Sequence, residues 1–569
     1  MPCGKVKWLC LSFAFLLVNM ANAQQYAFQV TFTDKNNTPY SLSNPHVYLS
    51  SRAIARRTTQ SILVDSTDLP VNPAYVDSVL SLTGGLYYET SRWLNMCIIL
   101  LPTADSTQIL HLSGKPFISN VKQVGSYCTN LYSKVVHRDS STANAAQRAT
   151  SGDGIYYGNT WTQTELVNGN YLHDNGYNGA GKLIAVLDAG FYGTNTHPWF
   201  DSLWASGRVV DTFDFTYHNT DVFNYDNHGT EVLSTMAGYV PDTFVGTAPL
   251  AMYALYITEN DIDDQPVELD NLIAGAERAD SLGADVITES LGYDLFQSSC
   301  NGQTYPENFD SLDGKTTIAA KAANFATKKG ILFVATAGND GDGIPGYGNH
   351  IMTPGDADSA LTIGAVWSTG VPADFSGYGP NAAGRIKPDV CGMGEAATIF
   401  STGTTQLFTT GDGTSFSTPQ IAGWAACLWE ATPTATPARI RHAIIQCASR
   451  YSDPDTLGQL GYGIPNFECT ALALNVPDTP NPSASSNFVV VMPNPFYSQL
   501  TLSVAPKTSG IVTFRLIDMA GKEVFSFQNY LDQGYNSPFS IPAGALLPGI
   551  YILKATSSKQ QQVLKLEKR

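Results

Sequence analysis

Gly413-Thr414-Ser415-Phe416-Ser417-Thr418-Pro419 precedes the small, apolar run Ile421-Ala422-Gly423-Trp424-Ala425-Ala426. The run has the composition of a buried helix and the glycine before it marks a turn, so Ser415 falls in the first helical turn. A hydroxyl there feels the positive end of the helix dipole, and the N–H groups of that turn can face a developing oxyanion. Serine is a weak nucleophile until a neighbouring base takes its proton. The reading therefore requires a histidine and a carboxylate elsewhere in the chain.

Both lie upstream. Lys182-Leu183-Ile184-Ala185-Val186-Leu187-Asp188-Ala189-Gly190 reads as a buried parallel strand with Asp188 at its C-terminal edge, where open α/β sheets place their sites. Asn227-His228-Gly229-Thr230-Glu231 opens a small-residue helix, from which the His228 ring can project back toward the strand ends. A third segment, Ile331-Leu332-Phe333-Val334-Ala335-Thr336-Ala337-Gly338-Asn339-Asp340, is a buried strand ending in an asparagine whose amide can donate to an oxyanion beside the Ser415 N–H.

Singly, an Asp-x-Gly is a turn, a His-Gly-Thr is a helix start and an Ala-Gly-Asn is a loop. Together, in the order Asp, His, Asn, Ser and each at the end of an element, they resemble the subtilisin family of serine proteases over about residues 160–470. The resemblance implies that Asp188 orients the histidine, His228 is general base then acid, Ser415 is the nucleophile and Asn339 is an oxyanion donor. It also implies that Ser290-Leu291-Gly292 binds substrate by pairing with its backbone as an added strand. Thr288-Glu289, just before, departs from the family's apolar or asparagine-rich approach. The S1 pocket, which takes the residue before the scissile bond (P1), would be built from the segments around Gly292 and Gly338 with Met352 near its base. A flexible thioether there favours Leu, Met or Phe at P1, and Asp340 at the rim adds a weak preference for a long basic residue.

The 569 residues exceed one core and indicate several folding units. Lys5 and Lys7, the apolar run Trp8–Val18 and Ala21-Asn22-Ala23 make residues 1–23 a secretory signal peptide. No later run approaches the length of a transmembrane helix, so none is expected. Residues 160–470 hold 12 Lys+Arg against 36 Asp+Glu, a net −24, whereas residues 24–150 hold 10 against 7, a net +3. An acidic unit of this kind argues against nucleic acid as a partner. The chemistry requires no cofactor. Structural calcium, common in the family, has its densest carboxylate stretch at Glu259-Asn260-Asp261-Ile262-Asp263-Asp264, and no metal ligand is assigned. Export permits disulfides, and Cys447 with Cys469 is the favoured pair, while Cys427 reads as a buried small hydrophobe.

The chain divides into a prodomain at 24–133 of small α+β type, a polar linker and processing region at 134–159, a peptidase domain at 160–475, a Pro/Ser linker at 476–487 and a β-sandwich at 488–569. The first of these carries no catalytic cluster, and its position and charge suit a domain that assists folding and blocks the cleft. Met492-Pro493-Asn494-Pro495-Phe496, Gly521-Lys522-Glu523-Val524 and Leu547-Pro548-Gly549-Ile550-Tyr551 resemble the C-terminal sorting domain of type IX secretion. That resemblance implies export across the outer membrane of a Gram-negative bacterium, with the type IX machinery as a partner, to the surface or the medium. The whole is read as an α/β protein: a subtilisin-like doubly wound parallel sheet, a small α+β prodomain before it and an all-β sandwich after it. Its expected activity is that of a secreted serine endopeptidase acting on proteins or peptides. Rival readings are an inactive surface adhesin on the same fold, and an esterase or peptide ligase.

Overall fold

The structure, a computed structural model, describes residues 25–102, 107–127, 156–224, 226–260, 265–297, 304–306, 309–341, 350–400, 408–456, 458–474, 489–492, 496, 499–504, 510–519, 521–531, 536–544, 546–558 and 561–568. The signal peptide, most of the processing region, the 476–487 linker, Asp261–Asp264, Cys128 and Cys300 lie outside them. The chain forms two units, one ending at Asn475 and the other beginning at Val476.

In the first unit, β1 (Gln25–Phe32), β2 (Leu86–Ser91), β3 (Met96–Leu101) and β4 (Ile118–Tyr127) make an antiparallel sheet in the order β2-β3-β1-β4. Helix α1 (Ser51–Thr59) is capped by the Ser50 side chain, and α2 (Pro73–Thr83) starts on Asn72-Pro73 and stops at Gly84, whose φ of 66° suits glycine. Strand alternation divides the sheet into two apolar faces. Phe28, Val30, Cys97, Ile99 and Leu101 pack with Val76 and Val79 of α2. Ala27 and Ile98 face the other way, with Val267 of the peptidase part. β4 was not apparent in the sequence, because Ser119, Asn120, Lys122 and Gln123 interrupt its apolar pattern.

The peptidase part is built on β5 (Leu183–Asp188), β6 (Val209–Asp214), α3 (His228–Ala237), β7 (Met252–Ile257), α4 (Glu268–Leu282), β8 (Val286–Glu289), α5 (Ile318–Lys328), β9 (Leu332–Thr336), β10 (Leu361–Val366), β11 (Val390–Met393) and α6 (Thr414–Ala431). The strands form one parallel sheet in the order β11-β10-β9-β8-β5-β7-β6. β5 and β8 to β11 are buried throughout, as strands covered on both faces must be, whereas β7 starts on half-buried Met252 and the edge strand β6 is buried only at Asp214. Helices α4 and α5 share one core with the sheet, while α3 and α6 pack on each other and on the strands. The order reverses between β5 and β8, the switch point where such sheets open a crevice at their C-terminal edge. Cys447 and Cys469 form a disulfide near the end of the unit.

The first sheet docks on α4 and α5. Trp93 and Met96 enter the core that these helices share with the parallel sheet. Around that contact lies a buried ionic network. Arg56, Arg57 and Arg92 converge on Asp280 at 2.5, 2.8 and 2.6 Å, and all four side chains are at most 9% exposed. Arg57 also pairs with Asp68 at 2.7 Å, and Lys329 of the peptidase part reaches Asp68 at 3.0 Å. Glu277 accepts from the Ser91 hydroxyl and from the Arg92 and Trp93 N–H groups at 2.6, 2.9 and 3.0 Å. Burial raises the Asp280 carboxyl, but the three guanidinium groups outweigh it and hold it below its ordinary value. Its contribution is therefore present at neutral pH and lost as pH falls through that lowered value.

The second unit has two antiparallel sheets. One comprises β12 (Val489–Met492), β13 (Gln499–Val504) and β16 (Asn536–Pro542), and the other comprises β14 (Gly510–Asp518), β15 (Glu523–Leu531), β17 (Gly549–Thr556) and β18 (Gln561–Lys568). Alternate residues such as Val512, Phe514 and Leu516, or Tyr551, Leu553 and Ala555, form its core with Leu500 and Leu502.

Removing one partner from a buried ion cluster leaves the others uncompensated. Asp280→Ala should lower the unfolding free energy of the uncut chain by about 3–5 kcal/mol in chemical denaturation. Asp65→Asn, which affects a pair with Lys329 whose acid side is 58% exposed, should cost about 0–1 kcal/mol.

Candidate active site

Asp188 ends β5 and is fully buried. His228 starts α3, and its Nδ1 lies 2.7 Å from Asp188 Oδ1. The same oxygen accepts from the Ala189 N–H at 2.8 Å. With Nδ1–H donating to the carboxylate, the Nε2 lone pair is left on the outer side of the ring, which is 29% exposed. Two glycines allow this approach. A Cβ on Gly229 would lie 2.4 Å from the Gly190 carbonyl oxygen, and one on Gly190 would lie 2.5 Å from that of Asp226. The Asp-Ala-Gly turn and the His-Gly helix start thus meet backbone to backbone.

Carboxylates surround the imidazole. Asp226 accepts from the His228 N–H at 2.6 Å, and Glu231 lies one turn along the helix, its Oε1 held by the Asn227 amide at 2.8 Å. Burial pulls the ring's pKa down, but Asp188 and then Asp226 and Glu231 more than offset this and hold it well above the ordinary imidazole value.

Ser415 is the second residue of α6 and is 6% exposed. Its hydroxyl donates to the Ser290 carbonyl at 3.0 Å, and the Ser290 hydroxyl donates to the Ser415 carbonyl at 3.1 Å. The second bond has a cause in the sequence. Pro419 lies inside the helix and has no N–H, so the Ser415 carbonyl lacks its helical donor and Ser290 supplies one. In this rotamer the Ser415 hydroxyl faces Ser290; the His228 ring lies near the next residue, 6.0 Å from the Phe416 ring between centroids.

Asn339 follows β9 and is exposed. Its Oδ1 accepts from the Thr414 N–H at 2.9 Å and from the Thr414 hydroxyl at 2.7 Å. Thr336 in turn donates to the Thr414 hydroxyl at 2.5 Å. The amide oxygen is thus turned to Thr414, and the NH₂ is the other end of the same group. An ideal Cβ on Gly413 would lie 3.6 Å from the Ser415 nitrogen and 3.7 Å from Asn339 Nδ2, so the two donors border the same space.

Asp188, His228, Asn339, Ser415 and Ser290-Leu291-Gly292 are thus gathered at one edge of the sheet. Three features were not foreseen from the sequence: the Thr414 clamp on Asn339, the hydroxyl role of Ser290 and the acidic setting of His228. Pro419, four residues after Ser415, was a readable signal for the second. Glu289, the departure noted beside Ser290, is wholly buried, and among the described residues its carboxyl is served by no closer donor than the Leu291 N–H, whose lowering effect is the smallest of those acting on it. Burial, then Glu259 and Asp188, push it well above the usual carboxylate range. Among the described residues no group of three or more His, Cys, Asp or Glu is placed to hold a metal ion.

Residues 179–463 match the Subtilase family, half of the chain. The chain belongs to that family. Residues 27–141 of this subtilase match the Peptidase S8 propeptide domain of Bacteroidota, and residues 490–568 match the Secretion system C-terminal sorting domain. Similar proteins include subtilisin DY of Bacillus licheniformis, 27% identical over 54% of this chain and 96% of its own length. Thermitase of Thermoactinomyces vulgaris is 28% identical over 49% of this chain and 85% of its own. The solved structure of MycP1 with its N-terminal propeptide removed is 23% identical, with a TM-score of 0.42, over 56% of this chain and 98% of that one. The subtilase is a subtilisin-like serine endopeptidase with a propeptide, and its sorting domain marks it for export. No helix among the described residues is long and apolar enough to cross a membrane.

The electrostatics make a pH signature. Activity in kcat/KM should fall on the acid side with an apparent pKa above about 6.5, the ordinary imidazole value. Glu231, pushed up to about 7 chiefly by burial, is ionised where such a ring titrates. Glu231→Gln removes a negative charge from beside the imidazolium, so the acid limb should move to lower pH by a fraction of a unit. A limb that stays in place, or moves to higher pH, would contradict this account of the ring's environment.

Proposed function

We propose that this subtilase hydrolyses peptide bonds of proteins outside the cell through an acyl-enzyme on Ser415. The observation that carries the reading is the buried Asp188–His228 hydrogen bond of 2.7 Å at the sheet edge that also holds Ser415. A single side-chain rotation turns the Ser415 hydroxyl from Ser290 toward the imidazole. As Oγ attacks the substrate carbonyl carbon, His228 Nε2 takes its proton, and Asp188 stabilises the imidazolium. The carbonyl oxygen becomes an oxyanion that accepts from the Asn339 NH₂ and the Ser415 N–H. Collapse breaks the C–N bond while His228 returns the proton to the leaving amine. Water then attacks the ester carbonyl, His228 takes its proton and gives it to Ser415 Oγ, and the carboxylic acid leaves. Ser290-Leu291-Gly292 supplies the edge along which substrate backbone adds.

The propeptide acts as a removable inhibitor in this reading. Its sheet docks on α4, and Ser126 near the end of β4 donates to Gln265 Oε1 at 3.0 Å. Cleavage within 134–159 would then free the cleft. The purified, exported enzyme should label with a fluorophosphonate and cleave protein substrates. Ser415→Ala should abolish labelling and accumulate as the uncut precursor, and Asn339→Ala should reduce kcat by about 10²–10³-fold, the cost known for such a donor in subtilisin. Labelling that survives Ser415→Ala would overturn the assignment.

The sorting domain addresses the chain to the type IX secretion machinery, a role supported by its match to the Secretion system C-terminal sorting domain and by its separate core. Truncation after Asn487 should leave peptidase activity in cell extracts while abolishing its appearance outside the cell. Normal export of the truncated chain would refute that address.

A further inference from the structure

We propose that Met352 closes the recess beside Ser415 that would receive the P1 side chain, so that the enzyme favours glycine, alanine or serine at P1. The inference rests on the reading that Ser415 attacks a peptide carbonyl.

With the carbonyl carbon at Ser415 Oγ and its oxygen directed to Asn339, the P1 residue lies between two backbone segments. Ser290-Leu291-Gly292 continues β8, and Ala337-Gly338-Asn339 continues β9. These strands are parallel neighbours in register, with Glu289 opposite Ala335, so their continuations run side by side. Gly292 and Gly338 put no side chain into the gap between them, which leaves a slot walled by backbone next to the nucleophile. A side chain pointing away from the bound strand has this slot to enter.

Met352 already fills it. An ideal Cβ on Gly292 would lie 2.7 Å from the Met352 sulfur, and one on Gly338 would lie 2.6 Å from the same atom. One sulfur therefore touches both glycine backbones. The residue is fixed from both sides as well. Its own N–H donates to the Ala337 carbonyl at 3.3 Å, and the next residue, Thr353, exchanges two backbone hydrogen bonds with Tyr293 at 2.9 and 3.2 Å. The thioether is thus held across the slot by backbone bonds to each wall, and the proposal departs here from the sequence expectation of Leu, Met or Phe at P1 above a base near Met352. Anything longer than a Cβ and one more atom must displace the sulfur from its contacts with both walls.

The test uses the processed enzyme and peptides that differ only at P1, as Ala, Leu, Phe or Lys, with active sites counted by fluorophosphonate labelling. The wild type should favour Ala over Phe by at least about tenfold in kcat/KM, the scale on which a pocket rejects a side chain that does not fit. Met352→Gly and Met352→Ala should both raise the Phe-to-Ala ratio, the first by about tenfold or more. A wild type that prefers Leu or Phe would show that the thioether swings aside, and one that prefers Lys would show that Asp340 sets the choice; either overturns the proposal. So would an unchanged ratio in variants that still label fully. An enzyme that labels but cleaves none of the peptides, nor any protein, would overturn the peptidase reading instead, and this inference with it.

Discussion

Two hydrogen bonds between Ser290 and Ser415 join the end of β8 to the start of α6, and the geometry of the site depends on them. A helix containing Pro419 cannot satisfy its own Ser415 carbonyl, so that turn needs an external donor at a fixed place. The donor stands on the strand next to β5, whose last residue is Asp188. The helix bearing the proposed nucleophile is thereby indexed to the strand bearing the carboxylate. Thr414 performs the same service for β9, binding Asn339 through both its N–H and its hydroxyl. Each of the two first residues of α6 is thus pinned to a different strand end. Preorganisation of this kind lets hydrogen-bond donors stabilise developing charge without reorienting during reaction.

The contact between propeptide and peptidase has a different design. A cluster of three arginines on one aspartate is expensive to desolvate, and a well-packed apolar substitute is often as stable or more so. What the cluster provides is registry: Asp280 and Glu277 together tie α1 and the turn between β2 and β3 to α4. The overall charges of the two parts, +3 and −24, are a coarse guide beside this, because the network crosses in both directions, with Asp68 of the propeptide paired to Lys329 of the peptidase. Separation also returns charged groups to water, where they are well solvated. An interface that must form once and later part is well served by such groups around a small apolar centre of Trp93 and Met96.

Much of this was legible in the sequence. β5 and β9 read as strands because a parallel strand covered on both faces is apolar at every position, and α6 reads as a buried helix for the equivalent reason. Asp188, His228, Asn339 and Ser415 could be named because each ends or starts such an element, and chain order alone matched them to a family. β4, β16 and β18 were missed, since short or amphipathic strands in small domains carry a weak alternating signal that polar interruptions erase. In β3, Met96-Cys97-Ile98-Ile99-Leu100-Leu101, the unbroken apolar run reports burial on both faces, one by α2 and the other by the peptidase part.

The sequence by itself determined which residues could do chemistry, because nucleophile, base and amide donor are identified by residue type and by position at element ends. It also led to the expectation of three parts, since polar stretches interrupt the apolar patterns, whereas the structure joins the first two parts in one unit. The tertiary structure decided how those residues meet: that the acidic neighbours of His228 oppose its desolvation, that Thr414 sets the orientation of the Asn339 amide, and that Met352 lies across the slot between Gly292 and Gly338. These are contacts between segments tens to more than a hundred residues apart. Local propensity carries no information about them, because loop conformation and packing, not residue type, fix where a side chain finally points.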